Sequence, residues 1–404
     1  MDNTKVFKVI IIGGGASGLI SAIELSKKFK GENVALVERL DRVGKKLLST
    51  GNGQCNFSNS DGSLCHFHSQ NNNFYKTALT TFSNDFIVKY FEDLGILSTC
   101  EDGKFYPLSK QASSVLDALR FKIQSLNTKV FLNSKVVLIK KDKFFKVELE
   151  NGEILQGEKV VLCVGGKSAS HLGSDGSSYG LYQNFGHTLT DLTPQLVQLK
   201  VETSKIKGLK GLKQKALVKV QENGKIINEF LGDVMFTDYG LSGNAIFSAS
   251  SYVSYNNSSL LLDFCPQIST SKLVEILKNK QKNCPYLTNE YLLSGIVNNK
   301  IASAILRNLN LCNLQDKIEF TDIEKIASAI KNYKLNITGS LGFDMSQATK
   351  GGLSSFEFDS ENMQSKLVKG LYACGEVLDV VGDCGGYNLW WAFASALLVS
   401  KEIV

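Results

Sequence analysis

Six residues near the amino end, Gly13 to Gly18, have the types and the spacing that bind a phosphate. They read G-G-G-A-S-G and stand between the apolar run Val6 to Ile12 and a helical pattern at 16–29. Glu38 follows about 20 residues after the last glycine. In such a unit the glycines permit a tight turn and a close approach to a pyrophosphate, and the acid accepts the hydroxyls of a ribose. The pattern predicts a dinucleotide site without saying which dinucleotide.

A second glycine cluster, at 382–388, precedes the apolar helix that we predict over Leu389 to Val404. It reads G-D-C-G-G-Y-N and follows a predicted strand at 370–373 and the pair Gly375-Glu376. Glycines let backbone N–H groups lie against a flat ring, and Asn388 is a natural N-cap for the helix. The positive end of that helix would stabilise negative charge on a bound ring.

The elements that must position these residues predict an α/β fold. The apolar run at 33–38 makes the first forty residues a βαβ unit, and hence part of a parallel sheet. A loop rich in glycine, asparagine and serine follows at 51–73, with a length typical of binding loops. Periodicity predicts helices at 74–94 and 110–126, and strands at 129–132, 136–140, 144–149 and 159–164.

The middle of the chain has a different pattern, which begins near Pro194. Strand-like runs at 196–202, 215–220 and 225–231 predict a small antiparallel barrel or sheet, with Glu222-Asn223-Gly224 as a hairpin turn. Helices are expected at 271–281, 289–309 and 321–332. We therefore predict a Rossmann-like domain over 1–190, an inserted domain over 191–335, and the closing part of the first domain over 336–404. The inserted domain is expected to be β-rich at 191–265 and helical at 266–335.

Composition excludes several classes of protein. The 404 residues are 43% hydrophobic and 21% charged, which is typical of a folded chain. Forty-five Lys and Arg against 39 Asp and Glu give a net charge of +6, a mild excess that makes a nucleic-acid partner a poor expectation. The sequence lacks an apolar run long enough for a membrane span. Nine cysteines without a C-x-x-C pair predict mostly free thiols in a reducing cytoplasm.

The four histidines do not predict a metal site. Two of them stand in His66-Phe67-His68, without a carboxylate or cysteine cluster at ligand spacing beside them. We read this segment as a polar loop. Cys374 and Cys384 flank the second glycine cluster, but they lack the spacing of a redox-active disulfide.

Five segments resemble the bacterial BaiN-like (YhiN-like) family of FAD-dependent oxidoreductases, whose FAD fold is of the glutathione reductase type. They extend over nearly the whole chain and are specific to that family as a set. They read I-I-G-G-G-A-S-G-L at 11–19, G-K-K-L-L-S-T-G-N-G-Q-C-N at 44–56, L-G-S-D-G-S-S-Y-G at 172–180, M-F-T-D-Y-G-L-S-G at 235–243 and G-L-Y-A-C-G-E-V-L-D-V-V-G-D-C-G-G-Y-N-L at 370–389. The chain departs from the family at Gln54, where Arg is usual, and at Cys163-Val164, where Ala-Thr is usual.

The resemblance implies that the dinucleotide is FAD and that most of its contacts come from the two ends of the chain. Val136 is implied as the backbone contact of the adenine, and Gly165-Gly166 as a second FAD loop. The full set of predicted cofactor-binding residues is Gly13, Gly15, Ala16, Ser17, Gly18, Glu38, Arg39, Lys45, Lys46, Gly51, Asn52, Gly53, Cys55, Asn56, Val136, Gly165, Gly166, Gly375, Glu376, Gly385, Gly386, Tyr387, Asn388 and Leu389.

The resemblance also implies an activity: hydride transfer through the flavin between NAD(P)H and a small organic substrate, such as the carbon–carbon double bond of an enone. NAD(P)H would visit the flavin transiently, because the chain holds only one full dinucleotide pattern. Two alternatives stay open, a flavin amine oxidase that produces hydrogen peroxide and an FAD-dependent tRNA-modifying or RNA-binding protein. The sequence assigns no catalytic acid or base and no oligomeric state.

Overall fold

A computed structural model describes residues 5–255, 257–311 and 318–404. Its strands are β1 (Val6–Ile12), β2 (Val34–Val37), β3 (Ser58–Asn59), β4 (Phe67–His68), β5 (Ser98–Glu101), β6 (Lys104–Pro107), β7 (Lys129–Phe131), β8 (Val136–Lys141), β9 (Phe145–Leu149), β10 (Ile154–Leu162), β11 (Thr193–Gln195), β12 (Leu199–Val201), β13 (Lys213–Glu222), β14 (Lys225–Phe236), β15 (Gly240–Ser242), β16 (Ser258–Asp263), β17 (Tyr333–Ser340), β18 (Ala348–Lys350), β19 (Leu371–Ala373) and β20 (Val381–Gly382). Its α-helices are α1 (Ala16–Phe29), α2 (Lys45–Ser49), α3 (Lys76–Thr81), α4 (Asn84–Asp93), α5 (Ala112–Ser125), α6 (Gly180–Gln183), α7 (Asn244–Ser250), α8 (Thr270–Asn283), α9 (Asn289–Leu292), α10 (Asn299–Asn308), α11 (Phe320–Lys331) and α12 (Tyr387–Glu402). Two compact units result, the first formed by 1–194 and 346–404 and the second by 195–345.

The first unit is built on a sheet whose central strands are parallel. Its strand order is β7-β2-β1-β10-β9-β8, and β19 pairs in parallel with the carboxy half of β10. Ile10 in β1 lies between Ala35 in β2 and Val160 in β10, and all three residues are fully buried. Parallel strands are covered on both faces, so they read as continuous apolar runs. The predicted Rossmann-like α/β fold is confirmed.

Helix α12 packs against α1 and is buried on nearly all sides. Its two tryptophans each donate an indole hydrogen bond to a backbone carbonyl, Trp390 to Phe82 at 2.8 Å and Trp391 to Gly375 at 3.1 Å. A helix that is apolar all round belongs inside a core, which explains the apolar pattern of the carboxy end. Neither α12 nor any other helix in the described part of the chain is long and apolar enough to cross a bilayer.

The start of α12 differs from the prediction that Asn388 caps it. The N-cap residue is Gly386, whose φ angle is +102°. Asn388 lies inside the first turn, and its side chain accepts a hydrogen bond from the Gly382 N–H and donates one to the Gly382 carbonyl. The left-handed backbone at Gly386 starts the helix two residues earlier than the asparagine suggested, and Asn388 fixes the glycine loop instead.

The second unit contains the predicted barrel. Six strands close it in the order β12-β15-β14-β13-β16-β17, and the barrel-like insertion is therefore confirmed. The β13–β14 hairpin turns at Asn223 and Gly224, whose φ angles of +47° and +81° are those of a tight hairpin turn. Strand β17 runs to Ser340, so the last barrel strand extends past residue 335, where we expected the insertion to end.

Three other elements differ from their predictions. The helix expected at 74–94 is two helices, because Ser83 adopts an extended backbone and its side chain caps α4 by accepting from the Phe86 N–H. The helix expected at 289–309 is likewise divided, since Asn298 caps α10. The hairpin β5–β6 was missed, although its turn, Asp102-Gly103, has the Asp-Gly pair that favours two-residue hairpins.

Candidate cofactor site

The amino-proximal glycine turn joins β1 to α1 and is closed on one side. Gly13 has a φ angle of +102°, and a Cβ atom there would lie 2.4 Å from the carbonyl oxygen of Cys163. A Cβ at Gly18 would lie 1.8 Å from the Gly13 carbonyl oxygen, so neither position accepts a side chain. At Gly15 the same construction meets no heavy atom within 4 Å among the described residues. The turn is therefore packed against the sheet and open at Gly15.

Helix α1 begins beside this opening, at Ala16 and Ser17. Gly15 is its N-cap, and no described side chain caps it. The first N–H groups of a helix lack partners within the helix and carry partial positive charge. This arrangement is suited to a phosphate group.

Glu38 follows β2 and is buried beside the turn. One carboxylate oxygen accepts from the Gly14 N–H at 2.7 Å, and the other accepts from the Leu40 N–H at 2.9 Å. The Glu38 carbonyl accepts from the N–H of Ser134, two residues before Val136 at the start of β8. This hydrogen bond therefore joins the segment of Glu38, the predicted ribose contact, to the segment of Val136, the predicted adenine contact.

The three basic residues expected at the phosphates all form ion pairs within the protein. The pairs are Arg39 with Asp175 at 3.0 Å, Lys45 with Asp41 at 2.5 Å and Lys46 with Glu376 at 2.6 Å. Burial raises the pKa of Asp175, but hydrogen bonds from Ser177 and pairing with Arg39 outweigh it and lower the pKa to about 2. These carboxylates hold the cations near the turn and reduce the net positive charge that they offer to a ligand.

The loop at 51–56 meets the carboxy-proximal glycine pair. Gly51, Asn52, Gly53 and Cys55 all have φ angles between +56° and +84°. The next residue, Asn56, has a buried Oδ1 atom without a hydrogen-bond partner among the described residues. A Cβ atom at Gly386 would lie 2.7 Å from this Asn56 oxygen and 2.5 Å from the carbonyl oxygen of Ser58. Segments more than 300 residues apart in the sequence are thus in direct contact.

Further contacts connect the same two ends. The Asn59 side chain donates to the Gly385 carbonyl at 2.8 Å. A Cβ at Gly375, where φ is +79°, would lie 2.7 Å from the Ser17 hydroxyl. Glu376, which pairs with Lys46, also accepts from the Gly166 N–H at 3.3 Å. The structure therefore brings the segments at 13–18, 51–56, 165–166 and 375–386 into one neighbourhood.

Tyr387 and Leu389 stand at the start of α12. Tyr387 is buried, and half-buried Leu389 packs against the core of the first unit. Gly165, with a φ angle of +72°, packs against the Ser174 hydroxyl. These positions form the walls of the neighbourhood rather than open donors or acceptors.

Two buried thiols lie under the glycine turn. The Sγ atoms of Cys163 and Cys374 are 3.3 Å apart, and the Ser21 hydroxyl contacts both. Both are free thiols, as is buried Cys55. Burial raises the pKa of the Cys163 thiol well above its usual range, so the thiol stays protonated. Cys312 lies outside the described residues.

Sequence reasoning missed a chain of acids and histidines beside the Gly385-Gly386 loop. His66 contacts Asp61 through Nε2 and Asp383 through Nδ1, both at 3.0 Å. His68 Nε2 lies 2.9 Å from the other carboxylate oxygen of Asp383. Asp383 is 317 residues from His66 along the chain, so no local pattern announces the cluster. Neither this cluster nor any other group of histidines, cysteines and acids in the described residues is arranged to hold a metal ion.

The residues present fit an FAD molecule. The open space at Gly15 and the uncapped start of α1 suit a pyrophosphate. Glu38 would face the ribose, and the unpartnered Oδ1 of Asn56 is an acceptor for a ligand group at the loop that meets Gly386. Gly385 and Gly386 pack closely against Asn56, Ser58 and Asn59, which places the start of α12 beside that loop. The site has the parts that each end of FAD requires.

Comparisons with known proteins find relatives over nearly the whole chain. The family described as "HI0933-like protein Rossmann domain" matches residues 7–402. A 3-dehydro-bile acid delta(4,6)-reductase of Clostridium scindens is 32% identical over 98% of both chains. A ribosomal RNA dihydrouridine synthase of Escherichia coli is 29% identical over 98% of both chains. Among solved structures, an open flavocytochrome c3 fumarate reductase superposes with a TM-score of 0.50 and 14% identity, covering 100% of this chain and 78% of that one, which supports the fold alone.

The fold and the site together define an FAD-dependent oxidoreductase with a Rossmann-like domain and an inserted barrel. Within that class, the chain belongs to the HI0933-like family. The resemblance deduced from the five sequence segments is confirmed.

Proposed function

We propose that this flavoprotein reduces a carbon–carbon double bond conjugated with a carbonyl group, with NAD(P)H as the electron donor. The observation that carries the proposal is the full-length similarity to the Clostridium scindens bile acid reductase. The name of the E. coli relative describes the reduction of uracil, whose double bond is also conjugated with a carbonyl. The two relatives share a reaction at this level, and the comparisons favour it over amine oxidation.

The proposed site residues then have distinct roles. Bound FAD would accept a hydride from NAD(P)H and deliver it to the β-carbon of the substrate. The backbone of Ala16 and Ser17 would receive the pyrophosphate, and Glu38 would accept the ribose hydroxyls. Gly385 and Gly386 would let the backbone lie flat against the flavin, and the start of α12 would stabilise negative charge there. Each role uses a position that the described structure leaves open or fixes by hydrogen bonds.

An anaerobic two-step experiment tests the proposal. The holoprotein is first reduced with NADH or NADPH, and the flavin absorbance is recorded. A steroid with a 3-oxo-4-ene group is then added, in parallel with a saturated ketone as the matched control. We expect reoxidation of the flavin and a saturated product only with the enone. Reduction of the oxidised flavin by a primary amine, without reoxidation by the enone, would assign the amine oxidase alternative.

RNA is the second candidate substrate. Relatives from E. coli and Haemophilus influenzae, 29% and 28% identical over 98% of this chain, are named ribosomal RNA dihydrouridine synthases. A ribosomal RNA transcript therefore belongs in the same reoxidation assay. Formation of dihydrouridine in the transcript, with no reaction of the enone, would identify RNA and not a small molecule as the substrate. Binding of RNA should also weaken steeply with salt, because phosphate contacts release counterions.

The reducing cytoplasm is the proposed location. Cys163 and Cys374 are neighbouring thiols that have not formed a disulfide. Free thiols are typical of compartments that keep cysteine reduced. NAD(P)H would be at hand there as the transient donor.

A further inference from the structure

Within the acid–histidine chain beside the Gly385-Gly386 loop, His66 is paired with an acid through each of its two ring nitrogens. His66 lies between Asp61 and Asp383, at 3.0 Å from each. Ionised carboxylates only accept hydrogen bonds, so both contacts are satisfied only when both nitrogens of His66 carry a proton. The geometry therefore favours the imidazolium form.

Electrostatics agrees with the geometry. Burial lowers the pKa of His66, but the hydrogen bonds to Asp61 and Asp383 outweigh burial and raise the pKa above its usual value. The ring also shares Asp383 with His68 and stacks on Tyr387, on which the neighbouring Cys65 also acts electrostatically. Burial raises the pKa of Tyr387, so its phenol stays neutral. The protonated ring of His66 is therefore a proton source within this cluster.

Backbone contacts fix the cluster against the proposed flavin loop. The Asp383 N–H donates to the His66 carbonyl at 2.9 Å, next to the pairing of β4 with β20. The His66 ring stacks on Tyr387, with centroids 4.4 Å apart and planes at 21°. Tyr387 follows Gly386 directly. His66 therefore contacts the residue next to the glycine pair that would line the flavin, and its side chain is 27% exposed.

We propose that protonated His66 gives the proton that reduction of the double bond consumes, and that Asp383 and Asp61 position its ring. The inference rests on the proposed function. Once a hydride had been supplied to the β-carbon, the π electron pair of the double bond would form the new C–H bond at the α-carbon, and His66 Nε2 would release the proton for that bond. Water then reprotonates the neutral imidazole.

Exposure explains which nitrogen gives the proton. The Asp61 side chain is 58% exposed, whereas that of Asp383 is 21% exposed and holds both His66 and His68. A substrate can displace the exposed Asp61 carboxylate from Nε2, while Asp383 keeps Nδ1 in place. Asp61 afterwards offers a path for a proton from solvent.

Separate measurement of the two half-reactions in His66→Gln tests the inference. We expect reduction of the flavin by NAD(P)H to stay within twofold of the wild type, because that step needs no proton donor from the protein. Reoxidation by the enone should slow by about 100-fold or more, the usual contribution of a general acid. His171→Gln, at an exposed histidine of the same unit, is the matched control and should match the wild type in both steps.

The pH profile gives a second readout. A proton donor with a raised pKa stays active up to that pKa and loses activity as the pH rises through it. Asp61→Asn removes one carboxylate, so the falling limb of the reoxidation rate should move to lower pH while FAD stays bound. This variant changes an exposed side chain and keeps the test open if His66→Gln fails to fold.

The outcomes are distinguishable. If the wild type is reoxidised by the enone, and His66→Gln and Asp61→Asn both retain its rate and its pH profile, the inference is wrong and the proposed function stands. If no enone reoxidises the reduced wild type, the proposed function is wrong and the inference falls with it. Slow reoxidation in His66→Gln, together with a shifted limb in Asp61→Asn, supports both.

Discussion

Gly15 and Gly18 belong to one motif, but different physical causes require a glycine at each position. A Cβ at Gly18 meets the Gly13 carbonyl oxygen at 1.8 Å, so the fold itself excludes a side chain. Gly15 has a φ angle of −80° and no heavy atom of the described chain within 4 Å of its Cβ position. A ligand, and not the protein, would need that space.

We predict that Gly15→Val folds normally but does not retain FAD. The valine projects into the space of the pyrophosphate, while replacement of the N-cap glycine lowers the free energy of unfolding of the apoprotein by only about 1 kcal/mol. Gly18→Val is the matched comparison and should fail to fold, since backbone atoms block its side chain. Gel filtration with flavin absorbance, together with chemical unfolding of the apoproteins, measures both effects. Full retention of flavin by Gly15→Val would contradict the proposal that the pyrophosphate lies beside Gly15.

At the scale of elements, a buried ion pair joins a helix of the second unit to its barrel. Lys331, at the end of α11, pairs with Asp263 of β16 at 2.7 Å, and their side chains are 10% and 3% exposed. The ammonium also donates to the carbonyls of Cys265 and Ile268. A buried charge with a full set of partners holds the two elements in one arrangement, and removal of one partner leaves the other unpaired.

Lys331→Met should therefore destabilise the protein by about 3–5 kcal/mol, because the carboxylate of Asp263 stays buried without its cation. Lys325→Met removes a lysine that is 66% exposed and pairs with Asp322 of the same helix, and should cost about 0–1 kcal/mol. Urea unfolding of the two variants measures the difference. Equal midpoints would show that the buried pair contributes no more than a surface pair.

At the scale of the whole molecule, the two units have separate hydrophobic cores. The residues proposed to bind FAD all belong to the first unit, at 13–56, 136–166 and 375–389. A ligand stabilises the part of a protein that must be folded to bind it. The cofactor should thus act unequally on the two cores.

Saturating FAD should protect the first unit from local opening more than the second. At a ligand concentration of 100 times the Kd, the stabilisation is about 2.7 kcal/mol. Hydrogen exchange followed by mass spectrometry should show slower exchange in β1, α1 and α12 and little change in the barrel strands β13 and β14. Riboflavin, which lacks the pyrophosphate and adenosine, is the control and should protect less. Equal protection of both units would mean that they open together.

Physical reasons separate what could be predicted from what could not. Buried parallel strands and the amphipathic helix α1 were predictable, because apolar runs and periodicity are local properties of the chain. The division of the helix at Ser83 was missed, because capping depends on the backbone angle of one residue. The pairing of Arg39, Lys45 and Lys46 with acids was also missed, since two of those acids, Asp175 and Glu376, are distant in the sequence.

The sequence by itself determined the α/β fold, the glycine turn with Glu38, the barrel insertion and the family. These follow from short patterns whose residues act within one or two neighbouring elements. Only the tertiary structure decided that Asn56 meets Gly386, that Cys163 lies beside Cys374, and that His66 reaches Asp383. Such contacts arise where the sheet and α12 bring the ends of the chain together, and chain separation hides them from any local pattern.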